Sequence, residues 1–356
     1  MTVKVIGNIF PTKWLWGQYE GVYLDSIKEQ IQKYFENQHS LLFNTTWLAP
    51  VVENKAWKDY QDIIHSQQNF DNLFLVATVD PCPLSQQLVS EIVRNLGNPR
   101  LYLLGNFHSP YEFNFFAPVL ADHFKTYTQQ QLELKHCQWR FICYNRKPRV
   151  HRVRLVREML AAGLDQHGII TLGKPDPIYD SDPTNNLYLT LGETCQDYVE
   201  HGHWYNLNQP DPTGIPHDVL SLHVIKYWQQ HFLHVVGATM FEKQDDVFVS
   251  ETQFKPIIGL RPFVINGNTQ TYQWLRNNGF RTFETWFGSS IEDQSNVHQA
   301  IVELITRLVQ MSDQEILDIY EDMLPTLIYN KARFFEYASK QQHLINNLFG
   351  IDIKNS

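Results

Sequence analysis

Short, nearly unbroken apolar runs alternate with amphipathic stretches along most of this chain. Residues 1–10, Ser40 to Leu48, Leu73 to Val79 and Arg100 to Leu104 are the apolar runs of the first third. Between them, Tyr23 to Phe35 places Leu24, Ile27, Ile31, Tyr34 and Phe35 at helical spacing. Leu84 to Leu96 reads as a helix that starts after Pro83 and stops at Gly97. The residues up to Ile64 read as helical or irregular. A parallel strand covered on both faces is a continuous apolar run, so this alternation predicts an α/β domain with a mostly parallel sheet. Phe113 to Leu134 is predicted as a helix closing that domain, which spans residues 1–135.

The rhythm restarts with a strand at Gln138 to Tyr144 and an amphipathic helix through Leu160 to Gly163, with Pro148 near its start. Gly168 to Leu172 and Phe232 to Gly237 are further strands, and Asp218 to Gln229 is predicted helical. Lys174 to Pro216 reads as a long loop region, with prolines at 175, 177, 183, 210, 212 and 216. Glu292 to Met311 and Asp313 to Phe349 are long helical patterns, the second broken near Pro325. The domains predicted are residues 1–135, a second α/β domain at 136–310 and a helical extension at 311–356.

The second domain centres on Phe241 to Ile265, which reads as one strand, turn, helix and strand. Ser250 is a good N-cap and Gln253, three residues on, completes a capping box. Val249 and Phe254 are spaced for a hydrophobic staple. Gly259 is placed for the left-handed position ending the helix, and Pro262 discourages continuation. Phe263 to Ile265 then enters the sheet. Glu251 and Lys255 are four apart and share a face. A helix N-terminus with a nearby ammonium suits a phosphate, and a carboxylate accepts two sugar hydroxyls. The alternative is an ordinary surface Glu/Lys pair.

Composition narrows the classes. With 356 residues, 43% hydrophobic and 19% charged, the chain is long enough for two cores and is not a disordered sequence. No apolar run approaches the twenty residues a membrane span needs, and the N-terminus lacks the pattern of a signal peptide. Cys82, Cys137, Cys143 and Cys195 lack metal-ligand spacing, which together predicts reduced thiols and a cytoplasmic protein. A net charge of −9 argues against a general nucleic-acid binder.

Against that acidity, residues 135–157 hold eight Lys or Arg and no Asp or Glu. Their core is Asn145-Arg-Lys-Pro-Arg149-Val-His151-Arg152, in a strand-to-helix loop. Guanidinium groups at a helix N-terminus make a strong anion site, because they pair bidentately with phosphate. A solvated basic face or a DNA-backbone contact fits the same residues. His201 with His203, and His231 with His234, lack a third ligand at metal spacing and are read as ordinary histidines. Asp245-Asp246 reads as a solvated turn.

Phe241-Glu242, Phe248-Val-Ser-Glu-Thr252, Lys255-Pro256 and Pro262-Phe-Val-Ile265 together resemble the donor-binding signature of fucosyltransferase-like glycosyltransferases. Gly267-Asn268 and Tyr272 to Phe283 resemble proteins of this kind from large viruses and marine phages, and the loop around Arg149 resembles their Arg-bearing loop. The signature's Asn-Ser pair is Lys243-Gln244 here, and Thr252 stands where the family has lysine. The resemblance implies a GT-B enzyme, two Rossmann-like domains facing across a cleft, working without metal or other cofactor, in a host cytoplasm if viral. It implies a nucleotide-sugar donor bound by Asn145, Arg149, His151, Arg152, Ser250, Glu251, Thr252 and Lys255, the diphosphate gripped between the arginine loop and the helix opening at 251. For an inverting reaction, strand-end position alone nominates Asp80, His108 and Glu112 as bases for the acceptor proton. The acceptor is a glycan or, as the rival reading, a hydroxymethylated base in DNA; a non-catalytic sugar or nucleotide binder is the third.

Overall fold

The structure is a computed structural model that describes residues 3–7, 24–25, 27–29, 31–33, 35–45, 55–77, 86–105, 114, 116–145, 149–172, 222, 225–239, 241 and 247–349. The chain divides into two compact α/β units, residues 119–337 and the residues on either side, 1–118 with 338–356. The division falls earlier than 135, and the end of the chain returns to the first unit.

The first unit is built on β1 (Val3–Gly7), β2 (Ser40–Asn44), β3 (Asn72–Ala77) and β4 (Arg100–Gly105), all parallel and in that order. Helices α1 (Lys55–His65) and α2 (Gln86–Asn95) cover one face, where Tyr60, Ile63, Ile92 and Leu96 pack on Ile6, Leu41, Phe43, Leu73 and Leu75. Phe35 lies edge-on to Phe74 and Tyr102 on the other face. Coverage on both faces is why these strands read as continuous apolar runs. The helix predicted over 113–134 is α3 (Phe116–Phe124) followed by a separate turn, Gln129–Leu132. Thr128 breaks it by forming a capping box with Gln131.

The second unit carries β5 (Trp139–Asn145), α4 (Val150–Ala161), β6 (Gly168–Leu172), β7 (His231–Gly237), α5 (Glu251–Ile258) and β8 (Phe263–Asn266). Its strands are parallel in the order β6-β5-β7-β8. Then follow α6 (Gln270–Asn277), α7 (Val297–Gln310) and α8 (Asp313–Phe349). The predicted break near Pro325 is absent: α8 runs through it. A mid-helix proline costs about 3 kcal/mol, and burial of Tyr320, Met323, Leu327 and Phe334 on that helix offsets it. Arg140 joins α7 to α8, donating to the Leu308 carbonyl at 3.1 Å, the Met311 carbonyl at 2.8 Å and Asp313 at 2.7 Å.

The end of α5 departs from expectation. Gly259 has φ −75°, and the left-handed residue is Leu260 at φ 54°. Arg261 N–H reaches the Pro256 carbonyl at 2.9 Å and Leu260 N–H reaches Ile257 at 3.4 Å, the paired bonds of a Schellman ending. Gly259 is required for another reason: a Cβ there would overlap the Trp228 ring. Leu260 is fully buried, which holds it in a conformation its side chain disfavours. Leu260→Ala should therefore cost about 2–4 kcal/mol. Leu260→Gly should cost about 0.5–1 kcal/mol less than alanine, reversing the usual order, because glycine enters this region without strain. Urea melts of the pair check this; alanine proving the milder change would contradict it.

Candidate functional site

The chain of the second unit passes from β5 to β6 on one side, then returns to place β7 on the other side of β5. The order reverses between β5 and β7, and ligands of such sheets bind outside the strand carboxyl ends at that switch point. Right-handed crossovers put α4 and α5 on opposite faces. The side chains agree. Gly237 of β7 faces Asn145 and Arg152, whereas His234, on the opposite face of the same strand, stacks on Trp228, the ring that Gly259 abuts. Helix α5 is about 12 Å long and β8 about 13 Å. Its N-terminus thus comes up to the same carboxyl edge where α4 begins.

At the start of α5 the expected capping box is formed, with Ser250 N–H to Gln253 Oε1 at 3.0 Å and Ser250 Oγ accepting from Thr252 N–H at 3.4 Å. Phe248, Val249 and Phe254 are buried, as a staple requires. Thr252 Oγ1 donates to Gln253 Oε1 at 2.8 Å, so Ser250 and Thr252 bond within the cap. Glu251 and Lys255 are half-buried, and no salt bridge among the described residues involves Glu251.

The described basic residues of the loop bond to main chain. Arg149 Nη1 donates to the Thr239 carbonyl at 2.7 Å. His151 Nε2 donates to the Ala238 carbonyl at 2.9 Å. Arg152 donates through Nη2 to Gly237 at 2.7 Å and to Ala238 at 2.9 Å, and through Nε to Ala238 at 3.2 Å. These three residues tie the first turn of α4 to the chain leaving β7. Arg152 is buried, at 6% exposure. Arg149, the N-cap of α4, has no side-chain capping bond, which leaves its helix N-terminus as an anion-suited end. Asn145, fully buried, holds β5 to β6 through the Thr171 hydroxyl at 3.1 Å and the Thr171 carbonyl at 3.2 Å.

One residue at this edge, Asn266, escapes a reading by motif, whereas Phe241 opens the fucosyltransferase-like signature. Asn266, closing β8, donates to the His151 carbonyl at 3.3 Å and accepts from His298 Nε2 of α7 at 3.0 Å. Phe241 stacks between His151, 5.0 Å and 19° away, and His298, 5.1 Å and 33° away. A polar residue ending an apolar run, as in Phe-Val-Ile-Asn266, is the sequence signal for Asn266. His231 and His234 are buried beside Trp228, and His231 Nδ1 donates to the Tyr227 carbonyl at 2.7 Å. Among the described residues no three His, Cys, Asp or Glu gather as a metal would require. Asp80, His108, Glu112, His201, His203, Asp245 and Asp246 lie outside the described residues.

Burial first, and then the Arg152 guanidinium, push the His151 imidazole down to about 3. Burial, then Arg154, pushes His298 down to about 4. Both rings are neutral at pH 7. Below the ordinary value of 6.5 the unfolded chain takes up protons that the folded chain refuses. The stability these rings contribute is complete above 6.5 and is lost as pH falls towards 3 and 4. His151→Gln should flatten the loss of stability between pH 6.5 and 4, as followed by urea melts across that range; an unchanged slope would contradict the assignment.

No family model matches the sequence, and no curated protein matches it at a significant level. The structure is similar to the crystal structure of a UDP-forming alpha,alpha-trehalose-phosphate synthase from Burkholderia xenovorans, with TM-score 0.39 and 9% identity, over 94% of this chain and 79% of that one. Nothing in these comparisons ties the chain to fucosyltransferases or to a viral source. No described helix is long and apolar enough to cross a membrane.

Proposed function

We propose that the chain is a glycosyltransferase that takes its sugar from a nucleotide-sugar donor held by the second unit. The observation that carries this reading is the pair of helix N-termini, α4 with Arg149 and α5 with Glu251, opening at one sheet edge on either side of the β5–β7 switch point. Because the helices flank the sheet from opposite faces, the donor diphosphate lies across the strand ends. The first-turn N–H groups of both helices, Arg149 and Lys255 meet the charge that grows on the departing diphosphate. Glu251 takes sugar or ribose hydroxyls and fixes their orientation. Arg152 and His151 act through the main chain they hold, and Ser250, Thr252 and Asn145 shape the helix start and strand end. The fucosyltransferase-like signature supports a sugar nucleotide as donor without choosing its base.

The transferase is proposed to be metal-independent, with cationic side chains and helix ends in the place of a divalent ion. Asp80, His108 and Glu112 remain the proposed bases for the acceptor hydroxyl. A glycan acceptor is favoured over modified DNA, because Arg140 and Arg152 of the basic stretch donate to main-chain carbonyls and the chain carries a net charge of −9. Thermal-shift screening against UDP-, GDP-, CMP- and dTDP-sugars, with EDTA present throughout, tests the reading. One class should raise the melting temperature, since a ligand bound only by the native state stabilises it. A folded protein unmoved by every donor would overturn the proposal.

A further inference from the structure

The two helix N-termini of the proposed donor site open from opposite faces of the sheet, so their positions must be fixed to one another across the strand ends. His298, on α7, is where three of the neighbouring segments meet. Its Nε2 bonds Asn266 Oδ1 at 3.0 Å, and Asn266 Nδ2 donates to the His151 carbonyl in the first turn of α4 at 3.3 Å. Its ring packs on Phe241, 5.1 Å away, in the chain that leaves β7 towards α5. Phe241 in turn stacks on His151, whose Nε2 holds the Ala238 carbonyl. The contacts close a loop through α7, β8, α4 and the segment after β7.

The hydrogen-bond directions follow from the partners. Asn266 uses its amide nitrogen on the His151 carbonyl, so its oxygen must accept, and His298 must carry its proton on Nε2. His298 Nδ1 faces Glu158 at 3.9 Å, with a side chain only 14% exposed. An N–H on Nε2 is what this arrangement needs. It also explains a histidine on a helix that is otherwise apolar where it meets the sheet, with Val297, Ala300, Ile301 and Leu304 buried around it.

We propose that His298 is a positioning residue for the donor diphosphate, holding the start of α4 through Asn266 and the segment that leaves β7 through Phe241. This rests on the donor-site reading above. His298 does not touch the ligand; it fixes the first turn of α4 and the chain leaving β7, and a small displacement of that anion-suited end is costly to the diphosphate it holds.

The test uses the full chain and inorganic pyrophosphate, the group shared by UDP-, GDP- and dTDP-sugars, with affinity measured by calorimetry at a temperature where every variant is folded by circular dichroism. His298→Ala should weaken pyrophosphate binding about tenfold. His298→Gln, whose amide places an N–H where Nε2 stood, should restore affinity to within about twofold. Phe241→Leu keeps the hydrogen bonds and loses the stacking, and should fall between the two. Wild-type affinity in His298→Ala would overturn the inference and leave the donor site standing. Gln as weak as Ala would likewise overturn it, since the loss would then not follow the hydrogen bond to Asn266. A wild-type chain that binds neither pyrophosphate nor any sugar nucleotide would remove the donor site itself, and the inference with it.

Discussion

Alanine at Glu251 or Lys255 is expected to lower kcat/KM for donor turnover about 10²–10³-fold, the loss seen when one preorganised electrostatic contact is removed from a reacting centre. The two should divide differently. Lys255 meets charge that appears only as the diphosphate departs, so its loss falls on kcat. Glu251 holds hydroxyls in the ground state as well, so its loss raises KM together with lowering kcat. Glu251→Ala should move stability by no more than about 0.5 kcal/mol, because that side chain is half-buried and the capping box beside it is left intact. Steady-state hydrolysis of the stabilising donor, beside urea melts of each variant, measures both quantities. Turnover equal to wild type would show that this helix opening is an ordinary capped end.

Arg152→Met is expected to be the most destabilising single change at the carboxyl edge, at about 3 kcal/mol, because the Gly237 carbonyl loses its guanidinium donor and the Ala238 carbonyl is left with His151 Nε2. The guanidinium supplies Gly237 and Ala238 with three bonds of 2.7, 2.9 and 3.2 Å from one fixed fork. Lysine keeps the charge but brings a single point of donation, so Arg152→Lys should still cost about 2 kcal/mol. For a unit of this size the methionine variant corresponds to a fall of roughly 6–12 °C in melting temperature. Thermal melts of the three proteins decide it. Equal melting temperatures would mean that the carbonyls find other donors, and would free Arg152 for a ligand.

These outcomes bear on what the sequence could disclose. The parallel strands were legible because burial on both faces writes them as apolar runs, and Phe263-Val-Ile-Asn266 or Gly168-Ile-Ile-Thr-Leu172 can hardly be read otherwise. The start of α5 was legible too, because a capping box is a local pattern whose partners lie three residues apart. Its end was not. Gly259 is demanded by the Trp228 ring, which leaves no room for a Cβ, and the left-handed position falls to the buried Leu260; both depend on neighbours brought in by the fold. Pro325 reads locally as a break, and only the packing of α8 overrides it. The basic stretch is the clearest case of chemistry without address. Residue type correctly announces anion-seeking groups, but carbonyl oxygens satisfy guanidinium as well as phosphate does. Which of them Arg149 and Arg152 meet depends on β7 lying beside β5. Asn266 and His298 carry no local signal of pairing, since 32 residues separate them.

The most direct measurement is a crystal structure of the chain with the sugar nucleotide that most raises its melting temperature. The account predicts both phosphorus atoms across the carboxyl ends of β5 and β7, within hydrogen-bonding reach of the first-turn N–H groups of α4 and α5 and near Lys255. A diphosphate bound away from that edge, or touching only one face of the sheet, would contradict it.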